Sequence, residues 1–369
     1  MKPVLVVDRT LQRRIVAAGV VSLVAWPLLQ TVSPRRSIPW SEEMREAAQR
    51  MHQAITTVAA FCETEGIRID ESLDPNHTGL IGPEYTPLFT TLGRLEGKRT
   101  TTNPDMAGLM VHMLRRAGVS AGDTIAVGAS ASFPGLMIAT LSAAEVMGVH
   151  PVTILSLGAS SYGATRPELN LLHIHELLLN EGVLSTAPAA VSLGGEGDVG
   201  ADFDPAFRED LLQQIRVKQV PLVHDPDLRE NVARRMAIYL GGAEGRRVVA
   251  FVNIGGSDAN LGSSPLVLNL EPGLNTDLAL PPPGERGALF AMAARGIPVI
   301  HLLHIRGLAS RYGLPWDPVP LAQPGTARLR DDAAPHTGRF WLITAVYFSS
   351  LGLIAVVGRR RREVRAIAH

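Results

Sequence analysis

Four short segments of this 369-residue chain share a composition suited to holding an anionic group. They are Gly128-Ala129-Ser130-Ala131-Ser132-Phe133-Pro134-Gly135, Gly158-Ala159-Ser160-Ser161-Tyr162-Gly163, Gly194-Gly195-Glu196-Gly197-Asp198 and Gly255-Gly256-Ser257-Asp258. Glycine lets the backbone come close to a ligand, a following helix start offers free N–H groups, and serine hydroxyls add donors. Strand-to-helix turns favour the same residues for steric and capping reasons, so any one segment also reads as an ordinary turn. As a set, they make Ser130, Ser132, Ser160, Ser161, Ser257 and Asp258 the candidate ligand contacts. None matches G-x-x-x-x-G-K-[ST] or G-x-G-x-x-G, so no nucleotide cofactor is expected.

A second polar stretch contains Glu84, Arg94, Lys98, Arg99, Thr100, Thr101, Thr102 and Asn103. A Lys-Arg pair followed by three hydroxyls suits carboxylates or phosphates through charge-assisted hydrogen bonds, and reads equally as a solvated loop. Gly128-x-Ser130-x-Ser132 approaches the nucleophile elbow G-x-S-x-G without its last glycine, with Asp258 and His304 following in the order a triad would need. No metal is expected. His173 and His175, two apart on a predicted helix, point to nearly opposite sides, as do His301 and His304, three apart on a predicted strand. His77 lies in the turn-rich Asp74-Pro75-Asn76-His77-Thr78-Gly79, as a turn or a site residue.

The elements that must position these residues follow a βαβ rhythm from about residue 105. Expected strands are Thr124 to Val127, Val152 to Leu157, Ala189 to Leu193, Val248 to Ile254 and Pro298 to Leu303. Expected helices are Met106 to Ala117, Pro134 to Met147, Glu168 to Asn180, Pro205 to Val217, Asp227 to Leu240 and Glu285 to Ala294. Apolar strands alternating with such helices indicate an α/β fold, a mainly parallel, doubly wound sheet covered on both faces. Ligands of such sheets bind beyond the carboxyl ends of the strands, where the four glycine-serine segments fall. Ser41-Glu42-Glu43 caps a further helix with Met44, Ala47, Ala48, Met51 and Ile55 at helical spacing, packed on the domain or free as a stalk.

The ends of the chain are different in kind. Ile15 to Val32 carries no charge and is interrupted by Pro27; Phe340 to Val357 is of similar length and runs into Arg359, Arg360, Arg361 and Arg362. Each is long enough to span hydrocarbon. Lys2, Arg9, Arg13 and Arg14 before the first and the arginine run after the second place both ends in the cytoplasm, against the weaker contrary charges of Arg35, Arg36 and Arg339. A cleaved signal peptide fits the first span poorly, because Thr31-Val32-Ser33-Pro34 is no small-x-small site. The expected organisation is therefore a cytoplasmic segment 1–14, a transmembrane helix 15–32, an extracytoplasmic α/β domain 37–312, a Pro-rich semi-rigid tether 313–339, a transmembrane helix 340–357 and a basic tail 358–369. That is a multi-pass protein of the inner membrane, with the lipid bilayer as a partner.

Lys+Arg and Asp+Glu are both 35, which gives no electrostatic footprint of a nucleic-acid binder. Cys62 is the single cysteine, so there is no internal disulfide and no cysteine-rich metal site.

The runs HTGLIGPEYTPLFTTLGRLEGKRTTTNPDMAGLMV (77–111), VGASASFPGLMIATLSAAEVMGV (127–149), LGASSYGAT (157–165) and RGIPVIHLLHIRGLASRYGLPWDPVP (295–320) are similar to the poly-γ-glutamate system protein family. The resemblance covers nearly all of the chain between the two spans, and an anchor at each end also fits it. It implies a part in making or exporting poly-γ-glutamate, a capsule-like anionic polymer, beside the membrane components of the poly-γ-glutamate synthase. It brings no catalytic mechanism, so no catalytic residue carries over. Three roles stay open: an accessory or export subunit whose outward-facing domain binds the polymer, a hydrolase or transferase acting on it, and a scaffold of the ligase complex that does not bind it.

Overall fold

The computed structural model describes residues 9–32, 36–242, 247–331 and 338–367, with backbone alone for 9–10, 30, 32, 36 and 357–367. Lys2, Arg35 and the side chains of Arg9, Arg36 and Arg359 to Arg362, on which the charge bias rests in part, lie outside what is described. The chain divides into two units, 1–37 with 330–369 and 38–329.

Four apolar runs ended by serine or followed by glycine, with two shorter strands, form one six-stranded sheet in the larger unit: β1 Thr124–Ser130, β2 His150–Ser156, β3 Ala190–Ser192, β4 Val248–Ile254, β5 Gly273–Asn275 and β6 Val299–Leu302. The five strands expected from the sequence are the five parallel ones, and β5 adds an antiparallel edge too short to show a period. The spatial order is β3-β2-β1-β4-β6-β5. The chain thus builds outward from β1 through β2 to β3, then returns to lay β4 on the other side of β1. Alternate residues of one strand enter different apolar clusters: Ile125, Val127 and Ala129 of β1 join one and Ala126 the other, and Val252 of β4 joins the first and Phe251 the second. Both faces are therefore buried, the condition for near-continuous apolar strands in a parallel sheet.

The helices follow from the same patterning. Helices α1 (Arg9–Val32), α2 (Glu42–Thr64), α3 (Leu95–Thr101), α4 (Asp105–Arg116), α5 (Pro134–Met147), α6 (Leu171–Asn180), α7 (Pro205–Val217), α8 (Leu228–Gly241), α9 (Asp258–Leu261), α10 (Ala288–Ala293), α11 (Ile305–Tyr312) and α12 (Gly338–Ile367) run in chain order. In α2 the Ser41 hydroxyl accepts from the Met44 N–H at 3.2 Å, and Met44, Ala47, Met51, Ala54, Val58 and Cys62 form a buried stripe. That stripe packs on α4 and α5, so α2 is part of the domain rather than a free stalk. Gly108 makes the approach possible: a Cβ there would lie 2.3 Å from the Trp40 ring. Helix α5 starts on Pro134 at its first turn and stops at Gly148, whose φ of 62° supplies the left-handed cap.

The proline-rich stretch after α11 does not run free of the domain as far as Leu329. Leu314 and Leu329 are buried, the indole of Trp40 donates to the Ala327 carbonyl at 2.8 Å, and Asp105 accepts from the Gly325 and Ala327 N–H groups at 2.6 and 2.7 Å. The expected tether is fastened to α4, and Pro335 in it lies outside the described residues.

In the smaller unit α1 and α12 pack together, with the Ser22 and Tyr347 hydroxyls 3.0 Å apart, and Arg36–Ser37 pairs antiparallel with Arg330–Asp331. Leu11–Leu29 and Gly338–Val356 are long and apolar enough to cross a membrane. Leu23 is 76% exposed and Phe348 64%, an apolar surface that water would not favour.

His175 of α6 is fully buried, and burial lowers its pKa from the ordinary 6.5 to about 4. The folded chain thus binds fewer protons there than the unfolded chain. The resulting stability is complete above pH 6.5 and is lost as pH falls from 6.5 towards 4. In His175→Leu that loss should shrink by up to roughly 3 kcal/mol, at about 1.4 kcal/mol per pH unit. Denaturant midpoints of the solubilised chain across this range measure it; an unchanged pH slope would show that His175 does not titrate on unfolding.

Candidate functional site

The reversal of strand order between β1 and β4 opens a crevice at their carboxyl ends, and a cleft of about 810 Å³ lies there. Ser130, Ser132, Ser160, Ser257 and Asp258, from three of the four glycine-serine segments, line it, and Gly194, Gly195 and Glu196 come from the fourth. Ser161 does not. It is fully buried, its N–H donates to the Thr91 carbonyl at 2.9 Å, and its hydroxyl has no partner among the described residues. The short parallel pairing of Phe89–Thr91 with Ala159–Ser160 brings a further wall, Thr90 to Arg94, over the cleft.

Lys98 and Arg99 part company. The stretch expected as a polar loop is the helix α3, and its heptapeptide LEGKRTT turns Lys98 inward. Lys98 is 2% exposed and lines the cleft from within, its Nζ donating to the Ser132 carbonyl at 2.5 Å and to the Ser160 hydroxyl at 2.6 Å. The Phe133 ring face lies 3.9 Å away. Among the described residues no carboxylate pairs with it, and burial lowers its pKa to about 7. Arg99 is not at the cleft. Its Nε and Nη2 donate to both oxygens of Asp317, at 2.6 and 2.5 Å, a bidentate pair that consumes its recognition geometry.

The cleft carries both signs of charge. Lys98, Arg94 and Arg306 supply amine or guanidinium, the last stacked over Trp316 at 4.9 Å. Glu196, Asp202 and Asp258 supply carboxylates. Burial, with Asp198, Asp202 and Glu196 nearby, raises the Asp258 pKa, opposed by the Gly197 N–H that it accepts at 2.9 Å. Among the described residues no group of three or more His, Cys, Asp or Glu is placed to hold a metal ion.

The floor continues into a buried cluster whose centre, Arg235, the sequence did not single out. Ser130, Ser156 and Ser192 end β1, β2 and β3 in register. Arg235 of α8, wholly buried, donates through Nη2 to Asp198 Oδ2 at 2.5 Å, Ser192 Oγ at 2.6 Å and Ser156 Oγ at 3.0 Å, and through Nε to Asn231 at 3.2 Å. Ser192 and Ser257 donate to the other Asp198 oxygen at 3.0 and 3.3 Å. Asp198 holds φ at 65°, a conformation that aspartate tolerates better than most side chains. The available signal was an arginine among the apolar residues of a helix, but its partner is 37 residues away.

The histidines divide as well. His301 is buried on β6 with Nδ1 3.0 Å from the Asn253 amide nitrogen, whereas His304, at the start of α11, lines the cleft. His77 is a turn residue with φ 51°, away from the cleft. The chain matches no family model, no curated protein and no solved structure.

Arg235→Met should cost about 3–5 kcal/mol, because it leaves the Asp198 carboxylate buried without its counter-ion. Adding Asp198→Asn should recover part of that loss. Thermal melting of the two variants decides; an Arg235→Met protein as stable as its parent would mean that the pair is not buried.

Proposed function

We propose that this chain is an accessory membrane subunit of a poly-γ-glutamate synthesis or export system, and that its doubly wound α/β domain faces outward and binds the polymer. The observation that carries the reading is the mixed charge of the cleft at the strand reversal. A γ-linked glutamate chain presents one carboxylate per residue and a single ammonium at its amino end. Arg94 and Arg306 suit the carboxylates, and Glu196, Asp202 and Asp258 suit the ammonium. A site for the interior of a polyanion has no use for three carboxylates, so the cleft suits the chain end. The motif similarity and the two apolar helices support the same reading.

A hydrolase or transferase acting on the polymer is the second reading, favoured by the contact between Lys98 and Ser160. A scaffold that does not bind polymer leaves the composition of the cleft without a purpose.

Binding of poly-γ-glutamate oligomers to the solubilised full chain should weaken as salt rises. Acetylating their amino ends should weaken it further. Arg94→Ala with Arg306→Ala should cost several-fold at an unchanged melting temperature, since exposed contacts are worth about 0 to 1 kcal/mol each. Calorimetric titration tests this, and indifference to salt, acetylation and the double variant together would refute polymer binding at the cleft.

Topology has its own measurement. Cys62 is buried, so a cysteine introduced at the exposed Glu209 becomes the one accessible thiol among the described residues. In intact spheroplasts Glu209→Cys should react with a membrane-impermeant maleimide. Reaction only after permeabilisation would place the domain in the cytoplasm.

A further inference from the structure

We propose that Ser160 and Lys98 form a serine–lysine dyad that transfers acyl groups from carboxylic amides or esters entering the cleft. This goes beyond polymer binding and does not depend on it, because the argument rests on two side chains and the space beside them.

A serine hydroxyl is a weak nucleophile until a base takes its proton, and an ordinary lysine is fully protonated at neutral pH. Lys98 departs from the ordinary case through its surroundings. It is sunk below the cleft floor, it has two hydrogen-bond acceptors, Ser132 O and Ser160 Oγ, and among the described residues it has no carboxylate partner. The Phe133 face favours the cation, yet burial still brings the pKa to about 7, which leaves a large share of the amine neutral at physiological pH. In the neutral form one N–H stays on the Ser132 carbonyl, and the Nζ lone pair accepts the Ser160 hydroxyl proton along the same 2.6 Å line. A lysine whose work was to clamp two loops would gain from a carboxylate beside it.

The nucleophile is held in place and has room. Its own backbone N–H donates to the Ser132 hydroxyl at 3.0 Å, and the Ser130 hydroxyl donates to that same oxygen at 3.1 Å. Gly93 faces the pair: a Cβ at this position would lie 3.2 Å from Ser160 Oγ and 3.1 Å from Lys98 Cε, so any side chain would crowd the reacting atoms. Ser160 is 7% exposed and lines the cleft, as an attacking oxygen must.

The chemistry balances with water as co-reactant. Ser160 Oγ forms a bond to the acyl carbon as its proton passes to Lys98 Nζ, and the carbonyl π electrons move onto oxygen. When they return, the bond to the leaving amine or alcohol breaks, and Lys98 gives its proton to that group. Water then attacks the ester on Ser160, Lys98 takes the water proton and delivers it to Ser160 as the ester bond breaks, and a carboxylic acid leaves. An amine acceptor in place of water makes the same sequence a transfer. The carboxylates of Glu196, Asp202 and Asp258 on the same cleft favour substrates bearing an amine, and thus amides of amino compounds.

The test uses the full chain in detergent and a fluorophosphonate probe, which reports an activated serine without any need for polymer. Peptide mapping should find the phosphonyl group on Ser160, with a labelling rate that rises through a midpoint near pH 7. Ser160→Ala should abolish the adduct, and Lys98→Arg, which keeps a cation but removes the base, should slow labelling by about a hundred-fold or more. If either variant at these positions fails to fold, the site and pH profile of the parent decide. Absence of an adduct on Ser160 between pH 6 and 9, an adduct confined to another serine, a rate without a midpoint near 7, or parental labelling in a folded Lys98→Arg would each overturn the dyad. Polymer binding plays no part in this readout, so its failure and that of the dyad are separately visible.

Discussion

A guanidinium cannot be left unpaired in a protein interior, and at the carboxyl edge of this sheet one is wholly buried. Arg235 reaches from α8 to the ends of β2 and β3 and to Asp198, whose other oxygen receives the hydroxyls of Ser192 and Ser257. Burial penalises the cation most, and Asp198 and Tyr239 together outweigh that penalty, so its pKa is raised. The requirement to satisfy this one group fixes where three chain segments stop relative to one another. Gly194 to Asp198 must fold back over the edge, Ser257 must start its short helix facing Asp198, and the strand ends must stay in register. The cleft is the space left above that arrangement.

The same edge holds a second buried basic side chain on opposite terms. Arg235 is matched by a carboxylate and is locked in the charged state, whereas Lys98 is matched by a carbonyl, a hydroxyl and an aromatic face. A guanidinium cannot be deprotonated in a protein; an ammonium can. One group therefore serves as a fixed charge that organises backbone, and the other is left free to change its protonation state next to a hydroxyl. The two differ in what faces them more than in how deeply they lie.

Much of the fold was legible because a sheet buried on both faces writes itself as apolar runs. Val248 to Ile254 is read with its observed bounds, and so are Pro134 to Met147 and Pro205 to Val217. Their ends are marked by proline, glycine and charge. The antiparallel β5 has three residues and no period, and Phe89–Thr91 pairs only through a partner some 70 residues away, so neither left a local trace. At the site, the glycine-serine segments were visible by composition, but polarity misdirects at Lys98. The run Lys98 to Asn103 has a solvated composition and is mostly interior, because its hydroxyls turn back onto carbonyls of their own helix: Thr100 to Glu96, Thr101 to Lys98 and Thr102 to Arg99, at 2.7 to 2.8 Å. Polar residues satisfied by their own backbone can be buried, and a sequence window does not show who satisfies whom. The proline-rich stretch misdirects likewise: low periodicity reads as a linker, yet Trp40 and Asp105 hold its backbone from 220 to 287 residues earlier in the chain.

These observations bear on how one cleft could serve a membrane-associated polymer system. A surface that escorts a uniform polyanion gains most from a continuous basic track and loses with every carboxylate facing it, by the same Coulomb energies that make the basic residues useful. Here the carboxylates are built in, and the pKa of one of them, tied by a backbone N–H, is raised by burial first and by its acidic neighbours second. A negative patch thus shares the cleft with a lysine whose charge burial weakens. The repulsion is tolerable where the ligand brings its own positive charge, as a free amino end does. It is useful where that end is an amine leaving or entering an acyl group, because the same patch then favours the ammonium form once the amine is released and draws it away from the serine. The electrostatics thus favour an end-acting site over a track, and they tie the binding reading and the acyl-transfer reading to one geometry.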